Sequence, residues 1–352
     1  MKALIYLISL LFVGTNQAYA WEAFYVLKPD ELRFSKAKSS WSQEATPTDC
    51  RARLKEIACI VNPIQDPKES RRCQPGSEAM APALERIYDV IPAKLQQTFC
   101  TMKVIFIEND TEVLGYAGVL AWDSNSQPQG SFMGLRRALL EQNYDATSVI
   151  GWKEQKAFGL TPPPFVHLPE GPRSSIVLPN SLSALHYVIV HEIGHILDFS
   201  NKANDFICPA GEACAPVNNP DDFLKMIPAP NSWTALSWQS PMKPKDLQTF
   251  PLWSKLCFYD CKEQLSVADM EDFYRQLAPT DFISTYAAVS PWEDFAESLT
   301  FHVMAQHEDF EYQIQTPFAS YDLKKKWDGL GIKKIWMQDF LNRDLKYPTP
   351  LK

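Results

Sequence analysis

The sequence predicts an α+β fold in which a mixed, mostly antiparallel sheet lies beside one long apolar-striped helix. Short β-branched runs such as Lys103 to Glu108 read as strands, because branched side chains fit a pleated, half-buried surface. Further on, Leu185, Val188, Ile189, Ile193, Ile196 and Leu197 repeat at helical spacing. With 45% hydrophobic and 12% aromatic residues in 352 positions, the chain can bury a sizeable core.

The first twenty residues read as an export signal: Lys2 at the positive end, an apolar run from Ala3 to Val13, and Ala18-Tyr19-Ala20 as a cleavage site. Cleavage there leaves 332 residues (352 minus 20) and no stable membrane anchor, although an uncleaved anchor is the competing reading. All eight cysteines lie beyond it, and an even number in an exported chain favours disulfides. Cys50, Cys59, Cys73 and Cys100 form one group and Cys208, Cys214, Cys257 and Cys261 another; pairing within each group is expected. A structural zinc held by the second group is the alternative. The formal net charge of −8 argues against nucleic acid or an anionic membrane surface as partner.

Residues 21–102 read as a small, mostly helical, disulfide-stapled N-terminal region, and residues 103–352 as the main domain. Pro82 to Gln97 carries a helical stripe that Pro92 should kink or end. Lys103 to Glu108 and Val113 to Trp122 are expected strands, followed by a helix near Leu135 to Gln142. Ser148 to Trp152 and Ser174 to Leu178 read as further strands, the latter a candidate edge for an extended substrate. Ser181 or Ser183 can cap the striped helix. Residues 201–262, with eight prolines and three tryptophans and no sustained period, are expected to form an insertion beside the cleft. Ser290-Pro291-Trp292-Glu293 opens a helix running to about His307, and Leu323 to Leu345 is an amphipathic basic stretch expected to pack on the surface.

Within the striped helix stands His191-Glu192-Ile193-Gly194-His195. The four-residue step puts both imidazoles on one helical face, where they can share one Zn²⁺, with Glu192 placed to act as base toward a metal-bound water. A third protein ligand is still required. Asp198 and Asn201 stand where a metzincin extension needs Gly and His, which excludes that class. Glu293 and Glu297, one turn apart on the later helix, are the best downstream candidates, with His302, His307 and Asp198 also open. Glu293 is the strongest of these, although it also fits a capping box with Ser290.

Two short blocks, His191 to Asp198 and Tyr286 to Glu297, resemble the gluzincin zinc metallopeptidases related to the anthrax lethal factor catalytic domain and the Mlc titration factor peptidase. The resemblance rests on the pentad, on Tyr286 seven residues before Glu293, and on Glu-Asp-Phe-Ala-Glu from Glu293 to Glu297. It implies a zincin-like catalytic domain in which His191, His195 and Glu293 bind zinc. Glu192 would then activate the water and Tyr286 donate to the oxyanion; Glu297 and Asp198 are candidate supports of the ligand histidines. The expected protein is an exported, periplasmic or secreted peptidase acting on a protein or peptide. A non-catalytic zinc-binding or peptide-recognition protein on the same fold is the alternative. The step from His195 to Glu293, 98 positions (293 minus 195), is longer than the family leads one to expect.

Overall fold

The β-branched run after Met102 forms the centre of a four-stranded sheet; the first motif helix packs against this sheet and the second packs on the first. The computed structural model describes residues 47–61, 73–109, 113–122, 128–142, 144–160, 166, 168–179, 182–211, 220–258, 261 and 263–349. The export signal, Ser181 and Cys214 lie outside the described residues.

Helix α1 (Pro47–Ile57) runs directly into strand β1 (Ala58–Val61), and α2 (Ala81–Val90) and α3 (Ala93–Thr101) follow. The break between α2 and α3 falls at Pro92, whose ring and missing N–H end a helix. Strands β2 (Met102–Glu108), β3 (Gly115–Trp122) and β4 (Pro128–Arg136) complete the sheet, ordered β1-β2-β4-β3. Both β1/β2 and β2/β4 are parallel and only β3/β4 is antiparallel, so the sheet is mixed but not mostly antiparallel. The interior strand β2 is buried on both faces, as a near-continuous apolar run should be. Ile105, Ile107, Met133 and Leu135 face the main core, while Val104, Phe106 and Phe132 face a smaller cluster on the opposite side. Because β1 pairs with β2, the sheet and its core run across the boundary expected at residues 102 and 103.

Two elements differ from expectation. Residues 128–136 form a strand, and only Ala138–Glu141 (α4) is helical in the stretch expected to be a helix. The segment expected as a strand at 148–152 is helical instead, as α5 (Ala146–Ile150) and α6 (Trp152–Lys156). Asp145 decides that case: its carboxylate accepts from the Ser148 backbone N–H at 3.0 Å, satisfying an otherwise orphaned donor of a first helical turn.

Strand β5 (Arg173–Val177) lies as expected, but it belongs to a separate antiparallel sheet with β10 (Glu311–Gln315) and β11 (Ser320–Asp322). Its outer edge is taken, since Thr147 Oγ1 accepts from the Ile176 N–H at 2.9 Å. That edge is therefore not open to an extended chain, which corrects the expectation of a substrate-receiving edge there. Helix α7 (Ala184–Asn201) starts at Ser183, and Nδ1 of His186 accepts from the Ser183 backbone N–H at 2.8 Å.

The described residues of 201–262 form short elements: β6 (Phe206–Ile207), α8 (Pro220–Lys225), β7 (Ile227–Pro228), α9 (Thr234–Ser237), β8 (Trp238–Ser240), β9 (Lys243–Pro244) and two 3-10 turns at Asp246–Gln248 and Pro251–Lys255. The aromatics of this stretch enter the core: Trp233 and Trp238 are fully buried, and the Trp238 indole donates to Asp294 at 3.2 Å. After α10 (Met270–Leu277) comes α11 (Pro291–Met304), buried along its whole length. Ser290 Oγ accepts from the Glu293 N–H at 3.2 Å and Pro291 takes the first turn, as the sequence pattern requires. The C-terminal stretch divides into α12 (Leu323–Gly329) and α13 (Gly331–Asn342), which bury Trp327, Met337 and Phe340.

Cys50 pairs with Cys100, Cys59 with Cys73 and Cys257 with Cys261, at Cα separations of 4.7, 4.8 and 5.7 Å. The last bond removes Cys257 and Cys261 from any structural zinc site. No helix among the described residues is long and apolar enough to cross a membrane. Three disulfides and the absence of such a helix are compatible with an exported protein.

Candidate metal centre

Two helices that are distant in sequence build the site. Helix α7 carries His191, Glu192 and His195, and α11 carries Glu293 and Glu297. Their close approach depends on small residues: a Cβ at Gly194 would lie 3.0 Å from the Cα of Ala296. With nothing larger between the backbones, the carboxylate of Glu293 reaches the two imidazoles.

His191 Nε2 lies 3.0 Å and His195 Nε2 3.6 Å from Glu293 Oε2. One donor atom from each of the three residues fits within 4.8 Å of the others, a group that could hold a metal ion. Zn–ligand bonds of about 2.0–2.1 Å in a tetrahedron would set donors about 3.3 Å apart, so two imidazoles and one carboxylate at these separations fit such an ion. The ring planes of His191 and His195 stand at 81° with centroids 4.9 Å apart.

Electrostatics bind this cluster tightly. Burial opposes a charge on His191, but hydrogen bonds to Glu293 and Glu297 outweigh it and lift its pKa to about 10. Burial likewise opposes the charge on Glu293, yet His195 and His191 hold that carboxyl well below the usual range. Glu192 has no such partner: burial pushes it up to about 7, with His191 and His195 pulling the other way, and its Oε2 accepts no hydrogen bond.

Glu297 lies on the far side of His191, its Oε1 3.1 Å from Nδ1. A carboxylate there fixes the ring orientation and leaves Nε2 toward Glu293. Asp198 is placed differently. Both of its oxygens accept from Asn204 at 2.7 Å, from the backbone N–H and the side-chain amide, while Nδ1 of His195 has no hydrogen-bond partner. His302 packs on Trp327 and does not join the donor group.

Beside His191 and Glu192 is a pocket walled by Leu114, Gly115, Ile150, Trp152, Val188 and Phe258. Half-buried Tyr286 also faces it, its ring centroid 5.9 Å from that of His191 and 4.8 Å from that of Phe258. The stretch read as an insertion thus supplies part of the pocket wall. The strand nearest the motif helix is β3, not β5. Its register and the Arg136 N–H···Leu114 O bond leave the N–H and C=O of Gly115 and Ala117 directed away from β4.

Sequence reasoning missed Lys153, Tyr187 and Ser284. Lys153 Nζ and Ser284 Oγ donate to Glu297 Oε2, the latter at 2.7 Å, and the Tyr187 hydroxyl donates to Oε1 at 3.5 Å. Tyr187 was findable, one turn before His191 on the same stripe; a lysine in the polar run Trp152-Lys153-Glu154-Gln155-Lys156 carries no such signal. No family description matches the chain, and no curated protein or solved structure is similar enough to match it.

Proposed function

We propose that the protein is an exported zinc-dependent metallopeptidase of gluzincin type on a zincin-like fold, cleaving peptide bonds in a protein or peptide. The observation that carries this reading is the convergence of His191, His195 and Glu293 beside a buried Glu192 whose Oε2 accepts no hydrogen bond. Two imidazoles and one carboxylate are the donor set of a catalytic zinc site that keeps a position open. Zinc, when bound, supplies Lewis acidity that polarises the scissile carbonyl and acidifies water.

The chain's own residues do the remainder. Glu192, poised near neutrality by burial, takes the proton of the attacking water and returns it to the leaving amine. Tyr286, in the pocket wall beside His191, donates its hydroxyl to the oxyanion. Glu297 keeps Nε2 of His191 directed at the cation. An extended substrate chain pairs with the outward N–H and C=O groups of Gly115 and Ala117 on β3, next to the metal ligands.

The test is Glu192→Gln, assayed for zinc content and for chelator-sensitive cleavage of a mixed peptide library. The variant should hold zinc stoichiometrically and lose at least about 100-fold in turnover. Cleavage at the parent's rate by the variant, or no zinc in the parent, overturns the reading.

A further inference from the structure

We propose that Lys153 is a positioning residue for the metal centre, acting on His191 through Glu297. The inference rests on the metallopeptidase reading above and adds to it a residue outside the donor group, hydrogen-bonded to Glu297 and lining the pocket beside His191.

Lys153 sits on the short helix α6, far in sequence from both motif helices, and only 8% of it is exposed. A buried ammonium is costly unless its protons are taken up. Its Nζ donates to Glu297 Oε2 and, at 3.3 Å, to the hydroxyl of Tyr187, whose own proton goes to Glu297 Oε1. The three groups close a triangle around one carboxylate. Glu297 is itself wholly buried, and Lys153 is the cation that forms an ion pair with its Oε2.

The geometry has a direction. With Oε2 held by Lys153 and Ser284, Oε1 is left facing His191 Nδ1 at 3.1 Å. That contact selects the Nδ1–H tautomer and leaves Nε2, 3.0 Å from Glu293, as the donor toward a cation. Without the ammonium, Oε2 keeps only the Ser284 hydroxyl, and the buried carboxylate is less firmly held in the orientation that faces His191. The rings of Tyr187 and Tyr286 lie with their centroids 5.0 and 5.8 Å from Nζ, where their faces favour a cation.

The sign of the effect separates this role from a bystander charge. Removing a positive charge near a dication would by itself tighten metal binding. Loss of ligand orientation loosens it, by about tenfold to a hundredfold for an outer partner of a ligand histidine.

The experiment measures zinc affinity by competition with a chromogenic chelator, and the visible spectrum of the Co²⁺-loaded protein, for the parent, Lys153→Met, Lys153→Arg, Glu297→Gln and the double variant Lys153→Met/Glu297→Gln. Thermal melting checks that each is folded. Lys153→Met should bind zinc about tenfold or more weakly with an altered cobalt spectrum, and Lys153→Arg should recover most of the affinity. The double variant should bind no more weakly than Glu297→Gln alone, because Lys153 acts only through that carboxylate. If Lys153→Met does not fold, the double variant, which strands neither charge, decides the matter. Unchanged or tighter zinc binding by Lys153→Met, or losses that multiply in the double variant, overturn the inference and leave the metallopeptidase reading standing. A parent that binds no zinc overturns both.

Discussion

Gly115 stands against Glu192 so closely that a Cβ on the glycine would lie 2.7 Å from Oε1 and 3.0 Å from Cγ of the glutamate. The first residue of β3 thus sets where the carboxylate of the pentad can be. Gly115→Ala should leave the backbone intact, since only the contact forbids the methyl group. Displacing the base by about 1 Å should cost about 100-fold in turnover with zinc content unchanged. Turnover within twofold of the parent would show that Glu192 is not held from this side.

Metal uptake should release a proton. The metal-free His191 has its pKa raised from 6.5 to about 10, through hydrogen bonds to Glu293 and Glu297 that outweigh burial, so at pH 8 the ring is charged. A cation needs the lone pair on Nε2, so zinc affinity should climb about tenfold per pH unit from pH 7 and level off near pH 10. In the metal-free protein the same proton contributes stability that is complete below 6.5 and lost as pH rises through about 10. Calorimetric zinc titrations in buffers of differing ionisation enthalpy measure the release, and a count of zero protons at pH 8 would sink this account.

The C-terminal helix is tied to α11, which carries Glu293, by a buried pair. Lys333 Nζ reaches both oxygens of Asp294 at 2.7 and 2.8 Å, with 2% and 0% of the two side chains exposed. Lys333→Met should destabilise the fold by about 3–5 kcal/mol, because it leaves the buried Asp294 carboxylate without its cation and with only the Trp238 indole as donor. Adding Asp294→Asn should recover part of the loss. Urea unfolding of the single and double variants measures both, and a single variant as stable as the parent contradicts the pairing.

Cys50 and Cys100 close a span of 50 residues that holds α1, β1, α2 and α3. Replacing both by alanine should cost about 2–5 kcal/mol. Denaturation with and without reductant provides the comparison: the parent should fall to the level of the double-alanine variant or below when reduced.

What could be read in the sequence followed from how locally each signal is written. The pentad, the Ser290 cap and the Pro92 break each sit within a few residues of the structure they specify, and each appears where expected. Strand β4 escaped because Pro128, Gly130 and Gly134 look like loop residues. Gly134 is in fact required by packing, since a Cβ there would fall 2.0 Å from the Tyr116 ring lying across it. The run from Ser148 to Trp152 has strand-like composition, and Asp145 just outside it makes it helical. The resemblance makes Asp198 a candidate support of a ligand histidine, but Asn204, six positions on, takes both of its oxygens. Lys153 could not be foreseen: its partner Glu297 is 144 positions away.

The two halves of the donor group lie on α7 and α11, separated by a span that includes the Trp233 and Trp238 anchors. Contacts between segments so far apart in a chain form late, because the loop entropy must be met before they hold. Before α7 and α11 meet, His191 and His195 stand together on one helix without the carboxylate of Glu293. On the peptidase reading proposed above, the cleaving site is completed only when α7 and α11 pack together, so activity would wait on the closure of the chain's own fold.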